Sequence, residues 1–274
     1  LITGLLATLY HNLYNLIIGR TYSKSTLGYY TKSKALNEMV SMSILGTISK
    51  VGYPLLSSLQ EDKVLFSAGF KKIIKHVSFL SFPVFFGLIA VSDPMINVLF
   101  GEKWVQMIPF FRVICLSAIF FPHNALNLNV LQVVGRSDLF LKIDIINMGI
   151  GLFMITLSMV FNLGINGLLG TIILLSLISF FTNSYYSKRF INYSTLQQIG
   201  GFSKHLTSSF LMGLVAYLTS VVLPFGDLPS LLISVVVGVV VYFILSFVLK
   251  VEELWSFTNI ILDIIKKTTG KKAL

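Results

Sequence analysis

The sequence predicts an all-α polytopic membrane protein, and three observations carry that prediction. Of the 274 residues, 55% are hydrophobic and only 12% are charged, less than half of the roughly 25% charged residues typical of a water-facing domain. The mean hydropathy is +0.83, which makes lipid the main solvent of this chain. The apolar residues also come in runs long enough to cross a bilayer core of about 30 Å, which takes about 20 residues of helix. Cutting the chain where charges and Pro or Gly clusters interrupt those runs gives eight expected transmembrane helices.

The first span, Leu1 to Gly19, opens inside an apolar run with neither an initiator Met nor a basic signal-peptide flank, so it reads as a piece that lacks its beginning. The second, Ser33 to Leu56, carries Lys34, Glu38 and Lys50 and has the most charge of the eight. Between it and the third, Ile74 to Val91, the stretch Ser57 to Lys72 mixes polar residues with Val64, Leu65 and Phe66 and reads as an amphipathic connector. The fourth, Ile108 to Leu131, contains Arg112 and Pro122. The fifth and sixth, Leu139 to Asn162 and Gly164 to Tyr186, are separated so briefly that they must form a hairpin. The seventh is Leu206 to Leu223, and the eighth, Leu228 to Leu249, contains no charge. In the tail, residues 250–274, the apolar positions Leu254, Phe257, Ile261, Ile264 and Ile265 repeat with a helical period before Lys266 and Lys267, the pattern of a helix lying along the cytoplasmic interface.

Charge placement sets orientation, because cytoplasmic loops collect Lys and Arg. Fifteen of the 21 basic residues follow even-numbered spans or lie in the tail, and five follow odd-numbered spans, so the C-terminus is expected in the cytoplasm. The cluster Lys71, Lys72, Lys75 and His76 is part of that signal and suits lipid headgroups. The net charge of +10 lacks the Arg stripe with interleaved aromatics that would suggest a nucleic acid partner. The single cysteine, Cys115, excludes a disulfide framework and a Cys-rich metal site. No phosphate-binding glycine loop, H-E-x-x-H or G-x-S-x-G occurs, and no large hydrophilic loop is present, so no enzyme, metal or cofactor is expected.

Polar side chains within spans are costly unless they face water or a partner. At about 100° per residue, Gly4, Thr8, His11 and Asn15 share one stripe of the first span, and Thr31, Lys34, Glu38, Ser41 and Ser49 share one of the second. Arg112, His123 and Asn127 project to one side of the fourth span if Pro122 leaves it straight, and Asp144, Gly151, Ser158 and Asn162 stack on the fifth. Four seams of this kind predict a water-filled vestibule. The small residues among them, Gly4, Thr8, Ser41, Gly151 and Ser158, equally suit close helix packing.

Several strings also occur in a telling order: NLYNLIIGRTYSKSTLGYYTKSKAL, GYPLLSSLQED (Gly52 to Asp62), LFGEKW (Leu99 to Trp104) and LQVVGRSDLFLK (Leu131 to Lys142). Together they make the chain resemble the Wzx-type lipopolysaccharide and exopolysaccharide flippases, in the colanic and teichuronic acid exporter branch of the multidrug/oligosaccharidyl-lipid/polysaccharide exporter superfamily. The resemblance implies a fourteen-helix transporter of two six-helix lobes plus two helices. Residues 1–186 would then be the second lobe, residues 187–249 the two added helices and residues 250–274 the tail. It further implies a bacterial cytoplasmic (inner) membrane location and translocation of undecaprenyl-pyrophosphate-linked oligosaccharide on an ion gradient. The partners implied are that lipid-linked oligosaccharide, membrane lipids, the missing N-terminal half and glycan polymerase machinery.

No family motif assigns residue roles, so these follow from position. Lys34 and Arg112 are expected to meet the pyrophosphate, with Asn15, His123 and Asn127 completing the substrate cavity. Arg20, Lys24 and Lys32 are candidate gate charges, and His11, Glu38 and Asp144 candidate ion-coupling groups. The alternatives are a drug or cation antiporter of the same superfamily, which calls for an acid-lined pocket, a membrane-embedded glycan polymerase, which calls for a large external loop, and a non-catalytic assembly subunit.

Overall fold

The computed structural model describes residues 2–222 and 226–256, without the side chains of residues 2–9, 11, 47 and 51. All regular structure among them is helical. Helices α1 (Ile2–Thr21), α2 (Lys24–Leu59) and α3 (Lys63–Ala90) lead to the short α4 (Ser92–Phe100) and a 3-10 segment (Glu102–Met107). Then come α5 (Ile108–Ala118), α6 (Phe121–Val133), α7 (Ser137–Val160), α8 (Gly164–Ile191), α9 (Thr195–Val222) and α10 (Asp227–Val248).

Among the described residues, seven helical stretches are long and apolar enough to span a bilayer: α2, α3, Glu102–Val133 taken together, and α7 to α10. The chain is therefore an all-α multi-pass membrane protein. The eighth expected span is the first: it forms α1 but is not among the seven, since His11, Asn12 and Asn15 lower its hydropathy. Large apolar side chains such as Phe153, Val236 and Val248 are more than 60% exposed, as expected where lipid is the solvent.

Capping chemistry explains several boundaries. Ser23 accepts from the Thr26 amide at 3.1 Å and starts α2, while one Asp62 carboxylate oxygen accepts from the Val64 and Leu65 amides and starts α3. With α2 ending at Leu59 and α3 beginning at Lys63, the expected connector from Ser57 to Lys72 is instead a tight turn flanked by helix. Asn162 and Gly164 adopt φ of 49° and 67°, closing the expected α7–α8 hairpin. The expected amphipathic tail falls almost wholly after residue 256, outside the described residues.

Two prolines shape the bundle. Pro122 sits in the first turn of α6, where its missing amide hydrogen costs nothing, and the helix is interrupted at Ile119–Phe120 just before it. Pro83 lies inside α3 and leaves the carbonyl four residues earlier, that of Phe79, without its helical donor. The Tyr242 hydroxyl of α10 donates to that oxygen at 2.7 Å. Close approaches complete the packing: a Cβ on Gly213 of α9 would lie 3.2 Å from the Phe86 carbonyl oxygen of α3, and one on Gly238 of α10 would lie 3.3 Å from Met212 Sδ of α9.

Candidate functional site

One cavity of about 580 Å³ opens between α1, α2, α5, α6 and α8. Tyr30, Lys34, Asn37, Glu38, Ser41 and Met42 reach it from α2 because their spacing of three and four residues keeps them on one helical face. Tyr10 and Tyr14 enter from α1, Ile114 and Ser117 from α5, Asn124 from α6, and Ile172, Leu175, Ser176 and Ser179 from α8. The Lys34 ammonium lies 3.8 Å from the Glu38 carboxylate, one turn away, and the two side chains are 30% and 53% exposed. This spacing leaves both groups accessible to a ligand, since an open pair of this kind is held only weakly.

The rest of the wall is fixed by hydrogen bonds. Tyr14 and Tyr30 stack with centroids 6.2 Å apart, and the Tyr14 hydroxyl bonds Thr171 Oγ1 at 2.8 Å. Ser41 donates to Asn37 Oδ1 at 3.1 Å, and Asn183 Nδ2 donates to Asn124 Oδ1 at 3.2 Å. Among the described residues the chamber presents the Lys34 ammonium, the Glu38 carboxylate, phenol rings and amide groups, a set able to meet a sugar by stacking and hydrogen bonding and a phosphate by charge.

Not every expected site residue reaches this chamber. Lys34 and Glu38 do, and they stand together. Arg112 does not: it forms an ion pair with Asp93, donates from Nε to Ser92 Oγ at 2.7 Å and lies 5.6 Å from the centroid of the Tyr217 ring. Nor does His123, which is fully buried, bonds Ser78 Oγ through Nε2 at 2.7 Å and stacks on Phe82 at 4.8 Å. Asn127 is also fully buried; it and Gln198 donate to each other's carbonyl oxygens at 3.0 and 3.1 Å, and Ser187 donates to the same Asn127 oxygen. The expected common seam of Arg112, His123 and Asn127 is thus corrected, because the interruption before Pro122 separates α5 from α6.

Asn15 is half-buried beside Asn12, to whose side-chain oxygen it donates at 3.3 Å, and is not part of the chamber lining. Asp144 is half-buried on α7, close enough to Tyr10 to act on it electrostatically, but does not line the chamber either. Gly151, one of the stacked positions on α7, is a packing residue: its hydrogen faces the Tyr10 hydroxyl where a Cβ would collide. Arg20 and Lys24 are exposed at the α1–α2 turn, and Lys32 sits 5.1 Å from the centroid of the Phe100 ring, all three outside the chamber. The side chain of His11 lies outside the described residues.

Tyr10, Tyr14, Tyr30, Asn37 and Asn124 are lining residues that the sequence did not single out. For Tyr30 and Asn37 the signal was present, since they occupy the Lys34–Glu38 stripe. For the others it depended on which helices become neighbours.

Part of the chain is similar in sequence to known proteins. Residues 1–109 match the family model described as polysaccharide biosynthesis protein. The chain is 29% identical over 128 residues to a teichuronic acid biosynthesis protein of Bacillus subtilis, an alignment covering 47% of this chain and 26% of that one. It is 27% identical over 108 residues to the lipopolysaccharide biosynthesis protein WzxC of Escherichia coli, covering 39% and 22% respectively. A membrane protein from the cps region of Klebsiella pneumoniae is 28% identical over 101 residues, covering 37% and 21%. The aligned part thus spans about a quarter of the length of these relatives, and no solved structure matches. Through its first 109 residues, which include α1, α2 and the Lys34–Glu38 pair, the chain is similar to polysaccharide biosynthesis proteins.

Proposed function

We propose that the chamber is part of a translocation path for a lipid-linked oligosaccharide, and that the chain works in export of a polysaccharide repeat unit across the bacterial cytoplasmic membrane with its C-terminus in the cytoplasm. The observation that carries this reading is the Lys34–Glu38 pair among phenol, amide and hydroxyl groups in a chamber of about 580 Å³. A pyrophosphate is multiply anionic, and a cation in a low-dielectric chamber attracts it more strongly than one in water. The sugars attached to it need stacking faces and hydrogen-bonding groups, which Tyr10, Tyr14, Tyr30, Asn37 and Asn124 supply. The reading involves transport alone, with no bond made or broken.

Glu38, the carboxylate beside Lys34 in the chamber, is the group to which we assign the coupling cation. The alternating access that transport requires comes from rocking of this helical unit against a second one.

The test is export of surface glycan by the intact protein. Lys34→Ala is expected to lower surface glycan about tenfold, the scale of one lost charge contact to an anion, at unchanged membrane abundance, while Lys34→Arg retains part of it. Normal glycan in Lys34→Ala cells would remove the chamber from the path. Loss of drug or cation efflux with intact glycan would favour the antiporter.

A further inference from the structure

On the side of the bundle away from the chamber, α3, α9 and α10 enclose a groove of about 390 Å³ whose wall is almost wholly apolar. Its floor on α3 is two adjoining stripes, Phe79, Pro83, Gly87 and Val91, and beside it Leu80, Val84 and Leu88, each residue four after the last in its stripe. Lys75 continues the first stripe by one more turn and opens into an adjoining pocket of about 140 Å³ with Lys204, His205 and Lys250. The groove and the pocket share a wall: the Phe79 ring lies 6.1 Å from His205 and 5.4 Å from Tyr242, and Phe79 and Tyr242 cluster with Val251.

The pocket also contains two carboxylates, and both are occupied. Glu252 accepts from Lys75 at 3.0 Å, and the buried Glu253 bonds His205 Nε2 at 2.9 Å. Lys204 and Lys250 are exposed and make no ion pair among the described residues. His205 Nδ1 is buried with no hydrogen-bond partner among them. Lys250 adopts φ of 52°, in a helix-ending motif where the Val251 amide bonds the Ser246 carbonyl at 2.9 Å. Glycine is the usual residue at such a position; the lysine keeps a positive charge at the mouth despite the backbone cost.

The geometry points to a binding site for an anionic membrane phospholipid, its phosphate held by Lys204 and Lys250 and one acyl chain lying along the α3 face toward Val91. Lys75 to Val91 spans sixteen residues, about 24 Å of helix, more than the roughly 15 Å depth of one leaflet, half of the ~30 Å core. Charge complementarity selects an acidic headgroup over a zwitterionic one. The site is independent of the transport reading.

Native mass spectrometry of the intact protein, exchanged into equimolar dioleoyl phosphatidylglycerol and dioleoyl phosphatidylcholine, tests this. Phosphatidylglycerol is expected to be retained about tenfold over phosphatidylcholine, and Lys204→Gln with Lys250→Gln to bring the two near parity. Val239→Trp, which fills the groove from a half-exposed position, is expected to reduce retention of both lipids several-fold while the protein stays monodisperse. Equal retention of the two lipids by the unaltered protein, or unchanged selectivity in the double lysine variant, would overturn the site. Displacement of phosphatidylglycerol by glycerol 1-phosphate at equal concentration, with Val239→Trp without effect, would also overturn it, by showing a phosphate pocket that uses no acyl groove.

Discussion

The Lys34 chamber and the Asn127 knot are both polar regions inside a membrane bundle, yet they solve the cost of polarity in opposite ways. In the knot, Asn127, Gln198 and Ser187 satisfy one another in full burial, and His123 beside them is enclosed by Phe82, Phe120, Phe180 and Phe202. In the chamber, Lys34 and Glu38 stay partly exposed and loosely paired. The difference teaches that a polar residue in a span is a functional candidate where its charged or polar end stays exposed to a cavity. Closed networks hold helices together.

The comparison breaks most readily at the knot. Asn127→Leu removes the amide that pairs with Gln198 in the interior, and a loss of about 1–3 kcal/mol is expected for the stranded Gln198 amide, read as a lower unfolding midpoint in detergent. Converting Gln198 to Leu as well should cost less than the sum of the two single changes, because no amide is then left unpaired. A gain in glycan export from either variant would contradict the structural role.

Next in size is Tyr242→Phe. It deletes the hydroxyl that serves the Phe79 carbonyl freed by Pro83, and about 1–2 kcal/mol of stability should go with it. Restoring the helical donor by Pro83→Ala in the same chain should recover part of that loss, which an unrelated packing defect would not.

A smaller, pH-dependent effect is expected at Glu253, because only one carboxylate is involved. Burial opposes its ionisation, but the His205 hydrogen bond, together with the charges of His205 and Lys75, outweighs burial and holds Glu253 below the usual carboxylate value. A group with a depressed folded pKa contributes stability above its unfolded value, near 4.3, and that contribution is lost as pH falls through the folded value. The unfolding midpoint should therefore fall on acidification below about pH 4.3, and Glu253→Gln should flatten that limb.

The smallest stability change belongs to the chamber. Lys34→Ala should shift unfolding by less than about 0.5 kcal/mol, as for other half-exposed ion pairs, even as export falls. A stability loss matching that of Asn127→Leu would erase the distinction between the two regions.

The class of this protein was legible from composition and run length, since apolar spans of a fixed length follow from bilayer thickness alone. The α7–α8 hairpin, the long helix carrying Lys34 and Glu38, and their one-turn pairing were legible too, being local consequences of helical periodicity. Other features depend on contacts between distant segments. Pro122 interrupts the helix and sends Arg112 to Asp93 instead of to the side of His123. Gln198 and Ser187, sixty and more residues away in sequence, claim Asn127 for the interior, while Tyr10 and Asn124 reach the chamber only because α1, α6 and α8 meet there. Periodicity fixes which residues share a face, but whether that face meets lipid, another helix or water is decided by which helices become neighbours, and that is a property of the packed bundle.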